Sequence, residues 1–363
     1  MICIGLVVAV FVMVMALARG LVSTFVTTGD ARNLLVIRKG ALAESSSQIT
    51  VDHVRRTSAL DGIQRTPQGE PMASAEVIVL ITLPRRSSGT AHVQVRGLGP
   101  PGLQLRPYVK LVEGRMFQPG KRECIVSRKL AKRFQHCRLG ESFEAGKGDW
   151  KVVGIFDAQK SAFESEIWMD ADEAREAFNR SFFCSVAIRP ESDAAARKLR
   201  DTIENDRQTR LRAFSETEYY QDQVKTARPL QVFGICLAAI MSVGASFSAM
   251  NTMYASIGRR AREIGTLRVL GFKRRSIYLS FVIESLMIAA AGGVLGCILS
   301  LPLHGIATGT FNWATFAEVA FEYRITPELM SWGIMFALLM GLLGALLHAR
   351  AAARKPILEA LRA

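Results

Sequence analysis

The residue types that most often perform chemistry are sparse and scattered in this sequence. Its five histidines form no set with metal-ligand spacing, and neither a Gly-x-Ser-x-Gly nor a His-Glu-x-x-His motif is present. Three of the six cysteines fall in apolar stretches, where a thiol usually fills space. The other three are Cys124, Cys137 and Cys184, for which a Cys124–Cys137 disulfide and free thiols are both open. The sequence therefore predicts a chain without catalytic residues, metal site or bound cofactor.

The most informative residues form the basic segment 251–275, NTMYASIGRRAREIGTLRVLGFKRR. Arg259, Arg260 and Glu263 lie on its polar faces, and Gly271 can end a helix. Such a short amphipathic helix is either a positive stop signal at the lipid headgroups or a docking helix for a cytoplasmic partner. Its apolar residues recur at spacings of three or four, on one helical face: Ile257, Ala261, Ile264 and Leu267.

Long apolar stretches must position this segment. A helix needs about 20 largely apolar residues to cross a bilayer, and four stretches reach that length. The first has an alternative, because Ala16-Leu17-Ala18 resembles a signal-peptidase site and would make 1–18 removable. The apolar run is long for a signal peptide and has no basic residues before it, which favours a first transmembrane helix that is kept in the mature protein. The missing basic flank also suggests that the true N-terminus lies upstream of Met1. The predicted spans are 1–22, about 229–257, 277–303 and 329–347.

Charge placement predicts the orientation of these spans. The chain has 363 residues, of which 49% are hydrophobic and 21% charged, and its net charge is +14. Much of this charge lies in the 259–275 loop, with seven basic residues against one glutamate, and in the C-terminal tail. Short Lys/Arg-rich loops stay in the cytoplasm. Both termini are thus predicted to be cytoplasmic, the 304–328 connection and segment 23–228 extracytoplasmic, and no nucleic-acid partner is expected.

Segment 23–228 has the pattern of a folded domain. Gly97–Gly102 is predicted to be a loop between subdomains. The predicted fold class is an α-helical membrane protein with four transmembrane helices (1 + 3) and a large mixed α/β extracytoplasmic domain inserted between helices 1 and 2. The strand-like runs are 33–38, 75–83, 91–96, 150–156 and 183–188, and the helical candidates are 127–134, 170–178 and 193–207.

The third span contains two notable features. Glu284 is its one charge, and a carboxylate inside a span is costly and often functional. Since it lies about two turns from Lys273–Arg275, pairing at the cytoplasmic interface is favoured over a proton relay. Gly292 and Gly296 have the GxxxG spacing that lets membrane helices approach closely.

Residues 260–271, RAREIGTLRVLG, closely resemble the hallmark of FtsX/MacB-type ABC transporter permeases. The third span and the tail 356–362 are also similar to that family, while 111–119 and 161–170 resemble the MacB-like periplasmic core domain. The resemblance implies a periplasmic core domain at 23–228 and an FtsX-like permease domain at 229–363, with a coupling helix at 258–271 that sits on an ATPase subunit. The implied coupling residues are Arg260, Arg262, Glu263, Ile264, Thr266, Leu267, Leu270 and Gly271.

The resemblance also implies partners and a mechanism. The sequence contains no Walker A motif, so ATP and Mg²⁺ are expected in a separate cytoplasmic ABC ATPase subunit. The implied assembly is a homodimer, or a pair with a related permease, in the lipid of the inner membrane. Its implied mechanism is mechanotransmission, by which ATPase motion moves the outer domain. In a Gram-negative cell, a periplasmic adaptor and an outer-membrane channel are further expected partners.

The predicted function is that of a permease subunit for export or extraction of an envelope substrate. An FtsX-like signalling scaffold, which activates an extracytoplasmic partner such as a hydrolase, is the alternative. A stand-alone membrane receptor is a third reading, but it leaves the docking-helix motif unexplained.

Overall fold

The computed structural model describes residues 1–224, 228–311 and 317–354, so the family-like tail at 356–362 lies outside the described residues. The chain divides into two compact units. A helical unit comprises Met1–Gly20, Arg228–Ile306 and the chain from Glu322 onward. A mixed α/β unit comprises Leu21–Ala227 and Ala307–Phe321, and is called the outer domain below.

The elements are named here in chain order. The helices are α1 (Ile2–Val26), α2 (Val51–Ser58), α3 (Arg128–Arg133), α4 (Ala171–Ala177), α5 (Asp193–Asn205), α6 (Glu216–Val224), α7 (Arg228–Arg259), α8 (Ala261–Val269), α9 (Arg274–Ser300) and α10 (Pro327–Arg354). The strands are β1 (Leu34–Arg38), β2 (Ala73–Pro84), β3 (Thr90–Leu98), β4 (Lys110–Gly114), β5 (Glu123–Ser127), β6 (Ser142–Ala145), β7 (Gly148–Asp157), β8 (Glu166–Asp170), β9 (Ser185–Ile188), β10 (Leu211–Ser215), β11 (Ala307–Phe311) and β12 (Glu318–Glu322).

The long helices confirm the predicted fold class. Among the described residues, three segments are long and apolar enough to cross a membrane: Ile2–Val26, Arg275–Leu303 and Pro327–Ala345. The fourth predicted span lies in α7, whose 32 residues extend about 48 Å at 1.5 Å per residue. Its apolar core among the described side chains is Val232–Phe247. A large α/β domain follows the first of these helices.

The outer domain is built on one ten-stranded sheet, ordered β10-β1-β9-β2-β3-β8-β5-β7-β4, with β6 added beside β7. Strand β2 joins two halves of this sheet. Its first four residues pair with β9, and residues 77–84 pair with β3. Residues 99–102 form a turn, as predicted, but the prediction that this loop joins two subdomains is wrong, because the continuous strand β2 forms the joint.

The glycines of that predicted loop serve close packing instead. Gly97 lies within β3, and a Cβ there would come 2.9 Å from the Ala174 Cβ of α4. The following turn folds back on β2, where the Gly99 amide donates to the Ala75 carbonyl at 3.1 Å. The sequence pattern cannot distinguish a glycine that permits a turn from one that lets a neighbouring helix pack closely against a strand.

Helices cover the two halves of the sheet and close separate apolar cores. Leu199 and Ile203 of α5 pack with Leu34 and Val186 in one core, while Leu130 and Ala174 pack with Trp150 in the other. The three predicted helices of this domain all form, each from a capping side chain that accepts backbone hydrogen bonds: Ser127, Asp170 and Ser192. The strands β4, β5, β6, β8 and β10 were not predicted; β5 and β8 are buried at every position, so they lack the alternation of a half-buried strand.

Candidate functional site

Helix α8 is a short element that directly follows α7, with only Arg260 between them. It ends at Val269, and the chain leaves it through Gly271, whose φ of 95° is a left-handed conformation that other residues adopt at a cost. The Phe272 amide donates to the Leu267 carbonyl at 3.1 Å, which is the long hydrogen bond of a Schellman motif. The glycine thus ends the helix as the sequence predicts, and the chain turns into α9.

The end of α8 presents apolar side chains to the surroundings. Leu270 is 71% exposed and Phe272 is 53% exposed, and Val269 and Leu267 are also exposed. Glu263 and Thr266 lie exposed on the same short helix. Exposed apolar residues beside charged ones mark a surface for a partner or for lipid. Arg262 and Ile264 belong to the helix, but their side chains lie outside the described set.

Arg260 ties the start of α8 to α9. Its guanidinium donates to both carboxylate oxygens of Glu284, at 3.3 and 3.4 Å. The expectation of a paired Glu284 is confirmed, and the partner seen among the described side chains is Arg260. Lys273 is the N-cap of α9, and the helical rise carries Glu284 away from it, toward the point where α7 meets α8. Because both side chains of the pair are partly exposed, the ion pair contributes little to folding stability. Its main effect is to hold the start of α8 against α9.

Gly292 and Gly296 of α9 face α1 and let the two backbones approach. A Cβ at Gly292 would lie 3.0 Å from the Met1 carbonyl oxygen and 3.1 Å from the Ile4 Cβ. A Cβ at Gly296 would lie 2.5 Å from the Gly5 carbonyl oxygen. Small residues at such crossings allow close van der Waals packing in lipid, where the hydrophobic effect between helices is weak.

Gly296→Ala is expected to destabilise the helical unit by about 1–3 kcal/mol, the usual range for overpacking. The new methyl group would also lie 2.8 Å from the Val8 Cβ, so α1 and α9 must separate. The measurement is the thermal unfolding temperature of the full chain in detergent. Gly244→Ala is the matched control, because a Cβ there meets no described atom within 4 Å and alanine favours a helix. An equal fall in both variants would contradict this role for Gly296.

The outer domain contains a buried network of charges that the sequence analysis missed. Arg96 of β3 has no exposed surface and donates to three carboxylates: Glu76 at 2.6 Å, Glu44 at 2.8 Å and Glu166 at 2.8 Å. Arg106 is also fully buried and donates to Glu76 at 2.6 Å. Buried charges persist only when they are paired and hydrogen-bonded. The available signal was a charged residue inside each of the apolar strands β2, β3 and β8.

Glu216, the first residue of α6, connects this network to the end of α1. Its carboxylate accepts hydrogen bonds from Arg106 at 3.1 Å, from the Asn33 amide side chain at 2.8 Å and from the Asp30 backbone at 2.9 Å. Asp30 and Asn33 lie in the turn between α1 and β1. The segment entering the outer domain and the segment leaving it therefore share one buried carboxylate.

The β11–β12 hairpin, which connects α9 and α10, is fastened to the rest of the outer domain. Glu318 of β12 is buried and forms ion pairs with Arg85 and Arg133. The Ala320 amide donates to the Ser165 hydroxyl at 2.7 Å, next to Glu166 of the charged network. The turn after α1, the start of α6 and the β11–β12 hairpin are thus each held within the outer domain by buried polar contacts.

The cysteines outside the predicted spans lie in the interior of the outer domain. Cys124, Cys137 and Cys184 are buried thiols, and burial raises the pKa of Cys137 to about 12 and that of Cys184 to about 11. Such thiols are poor nucleophiles. Within residues 1–224, 228–311 and 317–354, no cluster of His, Cys, Asp or Glu could hold a metal ion.

Comparison with known proteins gives two family matches that together cover most of the chain. Residues 1–206 match a family model described as MacB-like periplasmic core domain, and residues 235–357 match FtsX-like permease C-terminal. The second match contains α8, Arg260 and Glu284.

Curated relatives carry the name macrolide export ATP-binding/permease protein MacB. The chain is 24% identical to the one from Bdellovibrio bacteriovorus over 294 residues, which are 75% of this chain and 44% of the relative. It is 34% identical to the Brucella abortus protein over 134 residues, 37% of this chain and 19% of that protein. The chain therefore spans less than half the length of these relatives.

Among solved structures, the periplasmic region of MacB from Actinobacillus actinomycetemcomitans aligns with this chain at 12% identity and a TM-score of 0.40, covering 55% of this chain and 92% of that one. The extracellular domain of the noncanonic ABC-type transporter YknZ from Gram-positive bacteria has 15% identity and a TM-score of 0.39, covering 50% of this chain and 99% of that one. The two family matches decide the assignment: this chain belongs to the MacB/FtsX-type permeases, which are membrane components of ABC transporters.

Proposed function

We propose that this multi-pass inner-membrane protein is the permease subunit of an ABC transporter whose ATPase is a separate chain. The observation that carries the proposal is the surface of α8. Exposed Leu267 and Leu270 lie beside exposed Glu263, on a helix joined directly to α7. An apolar patch bordered by charge fits a protein groove better than bulk water. Under this proposal, ATP and Mg²⁺ bind in the partner.

Movement of α8 would reach the outer domain by mechanotransmission. The route is α8, α7 and then α6, which precedes α7 in the chain and begins at Glu216. Because Glu216 also holds the turn after α1, a displacement of α6 acts on both segments at once. The hairpin held by Glu318 supplies a third attachment. Nucleotide binding can drive such motion only through contacts that differ between two states.

The proposed topology has both termini in the cytoplasm. Basic residues in the 259–275 loop support a cytoplasmic α8. The β11–β12 hairpin packs on the outer domain, which supports one side of the membrane for both. A homodimer, or a pair with a related permease, would provide two copies of α8 for two ATPase subunits. A periplasmic adaptor, an outer-membrane channel and export or extraction of an envelope substrate complete the proposal.

The test is purification of the tagged full chain from native membranes in mild detergent, followed by mass spectrometry. The expected result is a co-purifying ABC ATPase subunit and vanadate-sensitive ATP hydrolysis by the complex. An adaptor in the same sample supports export, whereas an extracytoplasmic hydrolase supports the signalling alternative. Absence of any ABC ATPase, under conditions that preserve a known ABC complex from the same membranes, would overturn the permease assignment.

A further inference from the structure

A second candidate site lies on the outer domain, away from the elements used in the proposed mechanism. It is a concave surface of about 510 Å³ where the end of β1 meets the turn between α5 and β10. This volume is in the usual range for small-molecule sites. The cavity, called the basic cavity below, is lined by Arg38, Lys39, Glu204, Asp206, Arg207 and Arg210.

The acidic residues of the basic cavity are already engaged. Glu204 pairs with Arg200 at 3.4 Å. The Asp206 carboxylate accepts the Gln208 amide at 2.8 Å and the Thr209 hydroxyl at 3.1 Å, and these contacts lower its pKa. In the described ranges no ion pair joins Arg38, Lys39, Arg207 or Arg210 to a carboxylate. Four cationic groups therefore face one cavity without a partner in this part of the chain.

The backbone that carries these cations is well anchored. The Lys39 amide donates to the Arg210 carbonyl at 2.8 Å, directly beyond the β1–β10 pairing of Arg38 with Leu211. Gln208 of the same turn accepts a hydrogen bond from Arg56 of α2 at 2.8 Å. Because the backbone at these strand ends is already fixed, less conformational entropy is lost when a ligand binds, which favours affinity.

We propose that the basic cavity binds a compact multivalent anion, a phosphate or diphosphate group. Arginine presents planar donors that match phosphate oxygens in pairs, and lysine adds a point charge. Glu204 and Asp206 border the same surface, so a broad acidic protein face would bring more negative charge against these carboxylates than a small anion does.

The position of the basic cavity separates it from the membrane connections. Leu34 of β1 follows α1, and Ser215 of β10 precedes α6, whereas Arg38 and Leu211 lie at the opposite ends of these strands. At about 3.3 Å per residue the separation is about 13 Å. The bound group belongs to a solute or lipid that reaches the end of the strands remote from α1 and α6.

The experiment is calorimetric titration of sodium pyrophosphate into the full chain in nanodiscs of zwitterionic lipid. Saturable binding is expected, with a Kd below about 1 mM. The double variant Arg207→Gln/Arg210→Gln should weaken it by about tenfold or more. The control, Lys121→Gln/Lys132→Gln, removes the same charge from exposed sites elsewhere on the domain and should bind as the unmodified chain does.

Two further titrants identify the source of the anion. Tighter binding of dihexanoyl phosphatidic acid than of pyrophosphate assigns a lipid headgroup, and the reverse assigns a free phosphate compound. The proposal is overturned if neither titrant saturates, if the control loses as much affinity as the double variant, or if a hexaglutamate peptide binds more tightly than both. None of these outcomes depends on recovery of an ATPase partner.

Discussion

Arg96→Leu is expected to lower the free energy of unfolding of the outer domain by about 3–5 kcal/mol, the usual loss when one partner of a buried ion pair is removed. The variant leaves Glu44, Glu76 and Glu166 without their shared guanidinium. It also removes the cation 5.2 Å above the Phe163 ring. Urea unfolding of the full chain in detergent, followed by tryptophan fluorescence, measures the change, because Trp150 and Trp168 are buried in this domain.

Arg32→Leu is the matched control for this change. Arg32 forms an ion pair with Asp30, but its side chain is 66% exposed. Exposed pairs contribute little, so the control should unfold nearly as the unmodified chain does. If both variants lose the same stability, the buried network is not what holds this domain together.

The pH dependence provides a second check on the Arg96 network. Burial raises the pKa of the Glu44 carboxyl, but Arg96 and Ser185 outweigh it and hold that pKa below its ordinary value of 4.5. The resulting stability is therefore present above pH 4.5 and is lost as the pH falls through the lower folded value. In Arg96→Leu the unpaired buried carboxylates bind protons more readily in the folded state than in the unfolded state, so the variant gains stability as the pH falls toward 4.5. The stability difference between the variant and the unmodified chain should therefore shrink as the pH falls from neutral, and shrink further below pH 4.5, where the unmodified chain loses the Glu44 contribution.

Reversing the character of α8 is expected to have the largest effect on assembly. The double variant Glu263→Arg/Leu270→Glu places opposite charge at one position and a charge in place of an exposed apolar anchor. Loss of such contacts at an interface centre is worth about 2 kcal/mol or more. This corresponds to an affinity for the ATPase subunit at least about 30-fold weaker. The measurement is recovery of the ATPase with the tagged chain at graded concentrations.

Leu42→Glu is the control for this second variant. Leu42 is 85% exposed on the outer domain and tests whether a new charge at an exposed leucine disturbs the chain in general. It should leave ATPase recovery unchanged, and both variants should elute at the same position as the unmodified chain in size exclusion. Normal ATPase recovery with the α8 variant would place the docking surface elsewhere. The single changes Glu263→Gln and Leu270→Ala then separate charge from apolar contact.

Features that depend on neighbouring residues could be predicted from the sequence. The spans follow from long apolar runs, because a backbone in lipid must satisfy its hydrogen bonds within a helix. The end of α8 follows from Gly271, since a left-handed residue is inexpensive only for glycine. The predicted helices 127–134, 170–178 and 193–207 also form, and each begins at a residue whose side chain caps it locally, at Ser127, Asp170 and Ser192.

Features that join distant residues were decided by the tertiary structure alone. Arg96 meets carboxylates 52, 20 and 70 residues away, and its position in an apolar strand does not show which of the chain's carboxylates pair with it. The spacing of Gly292 and Gly296 predicts close packing, but only the folded structure identifies α1 as the partner, just as it alone shows that Gly97 of β3 lies against α4. Glu284 pairs with Arg260 because two helices bring them within 3.3 Å. The backbone conformation of a helix end or a turn is determined by adjacent residues, so the sequence predicts it. Desolvation, ion pairing and close packing depend on which surfaces the folded chain brings together, so only the tertiary structure decides them.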